Sequence, residues 1–201
     1  MKLYYSPGAC SLAPHILATE AGLPLDTEKV DLKTKRTESG ADFEKINPKG
    51  YVPVLQLDDG QTLTEVPVIL QYLADRKPES NLAPRAGTME RYRLQEWLNF
   101  ITAELHKQHG ALFNPTYPEE GKQFFRDRLA KRYAYLNENL GKKEYLMGDH
   151  FTAPDAYLFT IGNWAKRVNI DLAQWPVLSA YMQRVGSRPK VVETLKAEGL
   201  I

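Results

Sequence analysis

The sequence contains a single cysteine, Cys10, among its 201 residues. One cysteine excludes an internal disulfide framework and a cysteine-rich zinc site. The four histidines add no metal site, because His106 and His109 lie three residues apart without a carboxylate or thiol pair to complete a ligand set. We therefore expect no bound metal. The thiol is either an inert apolar side chain or a working group.

An excess of charge is also lacking, since 26 basic residues face 25 acidic ones and the net charge is +1. Nucleic-acid and membrane-surface partners usually need a basic excess, so we expect neither. No run approaches the roughly 18–20 apolar residues that cross a bilayer, and the first residues lack the apolar core of a signal peptide. The sequence therefore predicts a cytoplasmic globular protein.

Predicted strands and helices alternate over the first eighty residues. Gly22 suits the C-terminal cap of the first helix, and Asp58-Asp59-Gly60 is a strong hairpin signal. The predicted strands cover residues 2–5, 28–32, 52–57 and 61–64, and the predicted helices cover residues 11–21, 39–46 and 67–75. The order β-α-β-α-β-β-α predicts a mixed sheet whose first strands are parallel and whose last pair is antiparallel.

The rest of the chain is predicted to be helical. Residues 78–87 are polar and contain prolines, which is typical of a linker. One apolar stripe on a long helix is formed by Leu94, Trp97, Leu98, Ile101 and Leu105, and further helices are expected over residues 124–140 and 156–168. Thr152 and Asp155 form a capping box. We predict an α/β domain over residues 1–79 and an all-helical domain over residues 88–201.

Cys10 lies between the end of the first strand and the start of the first helix. Free backbone N–H groups and the helix dipole stabilise an anion there, which favours a thiolate. A thioredoxin-type redox motif would have its second cysteine at Ala13, so an external thiol would have to complete any exchange. Position alone leaves the inert and the functional interpretation open.

Two further positions suit a bound peptide. In thioredoxin-like folds a cis proline such as Pro53 opens a strand opposite the active thiol, although an ordinary strand-edge proline explains Val52-Pro53 as well. Glu65 and Val66 precede the third helix, where a carboxylate and free amides suit a zwitterion. The alternative for Glu65 is a helix-start acid favoured by the dipole.

Several segments together resemble the beta class of bacterial glutathione transferases. They are MKLYYSPGACSLAPHI, NPKGYVPVLQLDDGQTLTE, QYLAD, EWLNFITAELHK, FTAPDAYLF, RVGSRP and AEGL. The match covers almost the whole chain. It implies a thioredoxin-like domain that holds glutathione, a helical domain that completes the pocket, and a homodimer.

The resemblance also implies roles for residues of the first domain. Cys10 would sit beside the glutathione sulfur, Lys35 would meet the glycyl carboxylate, and Val52 would pair its backbone with the cysteinyl part. Pro53 would be cis. Glu65 and the amide of Val66 would hold the γ-glutamyl end. The family often has Ser or Gly where this chain has Val66, so a hydroxyl donor to that end is missing.

From the second domain, the resemblance implies contacts by Asn99, Ala103, Glu104, Leu105, His106 and Lys107, with His106 catalytic near the sulfur. At about 100° per residue, Asn99 and His106 project together while Glu104 points away, so Glu104 would serve the neighbouring subunit. The expected electrophile pocket contains Tyr5, Phe113, Tyr117 and Trp164, although core packing explains them equally well. Tyr5 and Ser11 are reserve candidates for the sulfur contact.

Three functions stay open. The leading hypothesis is conjugation of glutathione thiolate to a hydrophobic or halogenated electrophile, a detoxification reaction. In the alternative, thiol–disulfide exchange, peroxidase or reductive dehalogenase activity, Cys10 itself attacks and a second glutathione resolves the mixed disulfide. The third is a non-catalytic glutathione-binding or regulatory protein. The joint presence of Cys10, Lys35, Glu65 and His106 argues against the third.

Overall fold

The computed structural model describes residues 1–201 and contains two compact units. Unit 1 consists of residues 1–83 together with residues 188–201, and unit 2 consists of residues 84–187. This division differs from the predicted ranges of 1–79 and 88–201, because the last helix of the chain packs within unit 1. The change of unit at residue 83 lies inside the predicted linker, whose first part is the 3-10 turn Pro78–Ser80.

A mixed sheet forms the centre of unit 1. Its strands are β1 (Lys2–Tyr5), β2 (Asp26–Asp31), β3 (Arg36–Thr37), β4 (Val54–Gln56) and β5 (Thr62–Thr64), in the order β3-β2-β1-β4-β5. Strands β1 and β2 are parallel, and all other neighbouring pairs are antiparallel. The predicted fold class and hairpin are confirmed. The two-residue strand β3 was not predicted, since so short a segment has no readable period.

The helices of unit 1 alternate with its strands along the chain. They begin with α1 (Leu12–Ala21), α2 (Phe43–Ile46) and α3 (Val66–Asp75). Gly22 ends α1 in the left-handed conformation with φ of 63°, as predicted from its sequence position. The predicted second helix, residues 39–46, is shorter than expected because Asp42 caps it by accepting a hydrogen bond from the Glu44 amide.

Unit 2 is helical throughout, and its helices are α4 (Met89–Phe100), α5 (Lys107–Phe113), α6 (Glu119–Asn139), α7 (Ala153–Gly162) and α8 (Pro176–Gly186). Three 3-10 turns, Leu140–Lys142, Ala165–Val168 and Leu172–Gln174, connect them. The last helix, α9 (Pro189–Ala197), belongs to unit 1 and lies against α1. No helix is both long enough and apolar enough to span a membrane.

A π-helical segment, Ile101–His106, lies between α4 and α5. The sequence predicted one continuous α-helix here, because its apolar stripe runs through both. A π turn closes i→i+5 hydrogen bonds and holds more residues than an α turn. The angle of about 100° per residue therefore does not apply between Asn99 and His106, and the helix-wheel argument that separated Glu104 from His106 loses its basis.

The capping box before α7 is present, and its carboxylate organises more than the helix end. Asp155 is fully buried and accepts hydrogen bonds from the amides of Thr152, at 2.8 Å, and Leu146, at 2.9 Å. The Tyr181 hydroxyl on α8 donates to it at 2.8 Å. Asp155 therefore ties together the start of α7, the preceding loop and α8.

Replacing this carboxylate should destabilise the protein strongly. Asp155→Ala leaves several buried donors unpaired, so the free energy of unfolding should fall by at least about 3 kcal/mol. Asp171→Ala is the control, because Asp171 is exposed and accepts only from the Ala173 amide at the start of a 3-10 turn. It should cost no more than about 1 kcal/mol. Equal losses for both variants in denaturant unfolding would contradict this account.

Candidate functional site

Cys10 lies in the loop between β1 and α1, and its side chain is half-buried. The thiol donates to the carbonyl oxygen of Val52 over 3.3 Å. Ser11 fixes the loop, since its hydroxyl accepts from the Ser6 amide at 3.1 Å and donates to the Ser6 carbonyl at 3.2 Å. Ser11 is buried, and its hydroxyl is used within the loop.

The peptide bond between Val52 and Pro53 is cis, in agreement with the expectation for Pro53. Strand β4 pairs with β5 from Val54 onward, where Val54 faces Thr64. Val52 therefore lies just before the ladder, and its carbonyl oxygen is directed at the Cys10 thiol. This places a peptide edge beside the only thiol of the chain.

Lys35 lies in the turn between β2 and β3 and contacts the same segment. It adopts φ of 57°, in the left-handed region that is uncommon for a side chain with a Cβ atom. Its ammonium donates to the carbonyl oxygen of Gly50 at 2.6 Å. The cation is half-buried and is held near the turn that leads into Val52.

Glu65 directly precedes α3 and has φ of 68°. Its carboxylate is exposed and accepts from the ammonium of Lys49 at 2.7 Å and the hydroxyl of Tyr51 at 3.1 Å. The pairing with Glu65 raises the pKa of Lys49 above its usual value. Lys49 and Tyr51 were not predicted as site residues, although both belong to the segment NPKGYVP that carried part of the resemblance.

Four consecutive residues thus contact the predicted glutathione-binding residues of unit 1. We call residues 49–52 the bridging segment. Lys49 and Tyr51 bind Glu65, Gly50 accepts from Lys35, and Val52 accepts from Cys10. Cys10, Lys35 and Glu65 lie far apart in the sequence. The bridging segment brings their thiol, cation and carboxylate together along one stretch of backbone.

In unit 2, His106 lies in an aromatic cluster. Its Nδ1 atom is 2.6 Å from the hydroxyl of Tyr157, and its ring packs edge-on against Trp164 with 5.1 Å between centroids. Trp164 in turn contacts Phe113 at 5.4 Å. Trp164 is buried whereas Phe113 is 42% exposed, so the cluster reaches from the core to the surface of the unit.

The other predicted residues do not all join that cluster. Tyr117 packs on Phe125 at 5.7 Å, and Tyr5, in unit 1, packs on His15 at 5.9 Å. Asn99, Ala103 and Lys107 have exposed side chains, whereas Leu105 is fully buried in the core. Glu104 accepts from the Arg132 guanidinium at 2.6 Å and thus has a cationic partner within its own unit.

His109 is one of the three histidines to which the sequence analysis gave no role. It is fully buried, with Nδ1 2.9 Å from the Leu105 carbonyl oxygen and Nε2 3.0 Å from the Tyr133 hydroxyl. Burial lowers the pKa of His109 to about 4. It is therefore a neutral, hydrogen-bonded core residue near neutral pH.

Comparison with known proteins agrees with this geometry. A family model for the glutathione S-transferase N-terminal domain matches residues 8–76, and one for the glutathione S-transferase C-terminal domain matches residues 100–189. Glutathione S-transferase GstA of Escherichia coli O157:H7 is 48% identical over 200 residues, with both chains covered completely.

Two solved structures cover the same range. The beta-class glutathione S-transferase of Sphingomonas chungbukensis is 48% identical with a TM-score of 0.97, and a sphingomonad glutathione S-transferase complexed with glutathione is 45% identical with a TM-score of 0.96. Each match covers 100% of both chains. The chain belongs to the glutathione S-transferase family, among its bacterial beta-class members.

Acidification should weaken the fold through His109. Because the folded protein holds this side chain neutral with its pKa lowered to about 4, only the unfolded chain binds the proton between that value and about pH 6.5. The stabilisation that comes from keeping His109 neutral is therefore fully present above about pH 6.5. As the pH falls from there to about 4, the free energy of unfolding should decrease by about 3 kcal/mol. Denaturant unfolding at a series of pH values measures this loss.

His109→Gln removes the titrating group and should flatten the acid limb of the stability curve, even if the variant is less stable at pH 7. His150→Gln changes a largely exposed side chain and serves as the control with the parent slope. An acid limb in His109→Gln as steep as in the parent protein would show that other groups cause the loss.

Proposed function

We propose that the protein is a glutathione transferase that binds glutathione along the bridging segment, with the glutathione sulfur beside Cys10. The observation that carries this proposal is that residues 49–52 join a thiol, a cation and a carboxylate along one stretch of backbone. Glutathione offers a thiol, two carboxylates and an amine on an extended chain. The charges of the site are complementary to those of this ligand.

The two ends of the tripeptide would be bound by opposite charges. The ammonium of Lys35 would attract the glycyl carboxylate, and the carboxylate of Glu65 would attract the γ-glutamyl amine. The amide of Val66 begins α3, where the next residue is Pro67 and donates nothing, so this amide is suited to the γ-glutamyl carboxylate. Lys49, bound to Glu65, adds a cation at the same end.

The chemistry would take place at the sulfur. The start of α1 favours glutathione thiolate over thiol, and the thiolate then attacks an electrophilic carbon whose leaving group departs with the bonding electrons. From unit 2 we propose His106 as a catalytic group, since Tyr157 and Trp164 fix the orientation of its ring. The partly exposed cluster of Trp164 and Phe113 suits a hydrophobic or halogenated electrophile.

The remaining assignments stay predictions. They comprise glutathione contacts by Asn99, Ala103, Glu104, Leu105 and Lys107, electrophile contacts by Tyr5 and Tyr117, the homodimer, the cytoplasmic location and the detoxification role. The relatives above support glutathione as the co-substrate, and one of them is a complex with glutathione. They do not name the electrophile.

A second candidate function is favoured by the contact between Cys10 and Val52. The thiol lies against the carbonyl that would face the cysteinyl part of glutathione, so Cys10 and the glutathione sulfur would be close enough to form a disulfide. In such a reaction the Cys10 thiolate attacks the glutathione sulfur of a disulfide and expels the other sulfur as a thiolate. A second glutathione thiolate then attacks the mixed disulfide, which forms glutathione disulfide and frees Cys10. Glutathione binding without turnover of any electrophile would instead favour the third, non-catalytic function.

Replacing the thiol separates the first two functions. Cys10→Ala should retain most of the conjugation of halogenated aromatics, because the attacking sulfur belongs to glutathione. The same variant should lose thiol–disulfide exchange with a glutathione mixed disulfide, because no protein thiol remains. Cys10→Ser keeps the size and polarity and is the control. If both variants lost conjugation as well as redox turnover, both activities would be assigned to Cys10, and the separation proposed here would be wrong.

Restoring a hydroxyl after Glu65 should strengthen glutathione binding. Val66→Ser adds a donor to the γ-glutamyl carboxylate, and one hydrogen bond to a charged group is worth about 1.5–3 kcal/mol at most. We expect the Kd measured by calorimetry to fall by about tenfold, and by no more than about 150-fold. Since Val66 is buried, Val66→Ala controls for lost packing. An unchanged Kd for Val66→Ser would refute the expectation.

A further inference from the structure

The turn that carries Lys35 is built around the aspartate that precedes it. Asp31 ends β2 and Arg36 begins β3, and the two residues pair across the hairpin. One side-chain oxygen of Asp31 accepts from two backbone amides of the turn, that of Lys33 at 2.8 Å and that of Thr34 at 3.1 Å. The main-chain carbonyl oxygen of Asp31 accepts from the Lys35 amide at 2.8 Å. Asp31 therefore binds three successive amides of the turn.

The first and last residues of the turn are also tied to the core of unit 1. Leu32 is partly buried and packs against the apolar cluster that contains Phe43. The Phe43 amide donates to the carbonyl oxygen of Lys35 at 2.9 Å. The two residues between Leu32 and Lys35 have exposed side chains, so the hydrogen bonds of Asp31 rather than apolar burial give the middle of the turn its shape.

The backbone conformation of Lys35 depends on this turn. A φ of 57° is unfavourable for a residue with a Cβ atom, and it persists where the surrounding contacts fix it. In this conformation the side chain reaches the bridging segment, where its ammonium donates to the Gly50 carbonyl oxygen at 2.6 Å. Rotation about φ changes the direction of the Cα–Cβ bond relative to β2. The direction of the ammonium is therefore coupled to the hydrogen bonds of Asp31.

We propose that Asp31 is a positioning residue for the glycyl end of glutathione: by holding the turn, it fixes the backbone of Lys35 and thereby the cation that meets the glycyl carboxylate. The proposal deepens the proposed function and rests on it, because the role of Lys35 comes from there. Asp31 itself does not contact the ligand.

The charge of Asp31 and its hydrogen bonds have opposite consequences for an anionic ligand. The amides of Thr34 and Lys33 lower the pKa of Asp31, so its side chain is a carboxylate at neutral pH. A negative charge close to Lys35 repels the glycyl carboxylate, whereas a fixed turn favours its binding. If charge alone mattered, removal of the carboxylate would tighten binding. The positioning role predicts weaker binding instead.

The experiment measures the Kd of the full-length protein by calorimetry for glutathione and for its glycyl monoethyl ester, in which that carboxylate is uncharged. The parent protein should bind glutathione more tightly than the ester. Asp31→Ala should raise the Kd for glutathione by about fivefold, which is part of what a hydrogen bond to a charged group contributes. The Kd for the ester should stay nearly unchanged. Because Asp31 is exposed, the variant should fold.

Asp31→Asn separates the hydrogen bonds from the charge. It keeps the acceptor oxygen for the two amides and loses the negative charge, so it should bind glutathione at least as tightly as the parent protein. Asp59→Ala is the matched control. Asp59 is exposed and accepts from the Gln61 amide at 3.0 Å in the hairpin of β4 and β5, and its replacement should leave both Kd values unchanged.

Lys35→Gln connects the result to the proposed function. It should raise the Kd for glutathione more than Asp31→Ala does and should leave the Kd for the ester nearly unchanged. Asp31→Ala added to Lys35→Gln should have little further effect, because both changes act through one contact.

The two hypotheses fail in different ways. The positioning role is overturned if Lys35→Gln distinguishes the two ligands but Asp31→Ala leaves the Kd for glutathione unchanged, lowers it, or raises the Kd for both ligands equally. If Lys35→Gln itself does not distinguish glutathione from the ester, or if the parent protein does not bind glutathione, the proposed function is refuted at this end of the ligand.

Discussion

The hydrogen bond from the Cys10 thiol to the carbonyl oxygen of Val52 brings the start of a helix against the start of a strand. Both partners need an unusual local backbone. Cys10 follows a turn in which Gly8 is left-handed, and Val52 precedes a cis proline outside the ladder of β4 and β5. At the turn and at the cis proline, backbone N–H and C=O groups lie outside the hydrogen bonds of helices and strands. Such groups are the ones that a peptide ligand can bind. Reactivity at the thiol and recognition of a peptide therefore have a common structural origin.

Charges at this site are held in place by polar contacts at the surface rather than by deep burial. Lys35 is directed by one carbonyl oxygen, and Glu65 by Lys49 and Tyr51. An exposed ion pair contributes little to stability, so exchanging a partner for a ligand costs little. Lys35 and Glu65 also have positive φ values that their side chains disfavour. The fold thus accepts a local cost at the two positions where charge must be presented, and it recovers stability elsewhere, as in the buried hydrogen bonds of Asp155.

The sequence predicted what depends on local pattern, and it missed what depends on distant partners. Cys10 between a strand and a helix, Gly22 as a C-terminal cap and the box of Thr152 and Asp155 are local signals, and all three are confirmed. The cis form of Pro53 came from the resemblance, because most X–Pro bonds are trans and propensity alone would have given the wrong form. The π segment could not be predicted, because the apolar residues around it keep the three- and four-residue spacing of an ordinary α-helix. Nothing near Glu198 indicates that its partners Gly8 and His15 lie 190 and 183 residues earlier.

This last contact explains why the predicted domain boundary and the structure disagree. Hydrophobic spacing assigns α9 to the helical part of the chain, since Val191 and Thr194 recur on one face as in any surface helix. The charged residues at its two ends place α9 in unit 1 instead, because Arg188 binds Glu20, and Glu198 contacts Gly8 and His15. Apolar burial is non-directional and would allow α9 to pack on many surfaces, whereas buried charges tolerate only a site with matching donors or acceptors. The position of the last helix is therefore set by a few charged contacts at its ends.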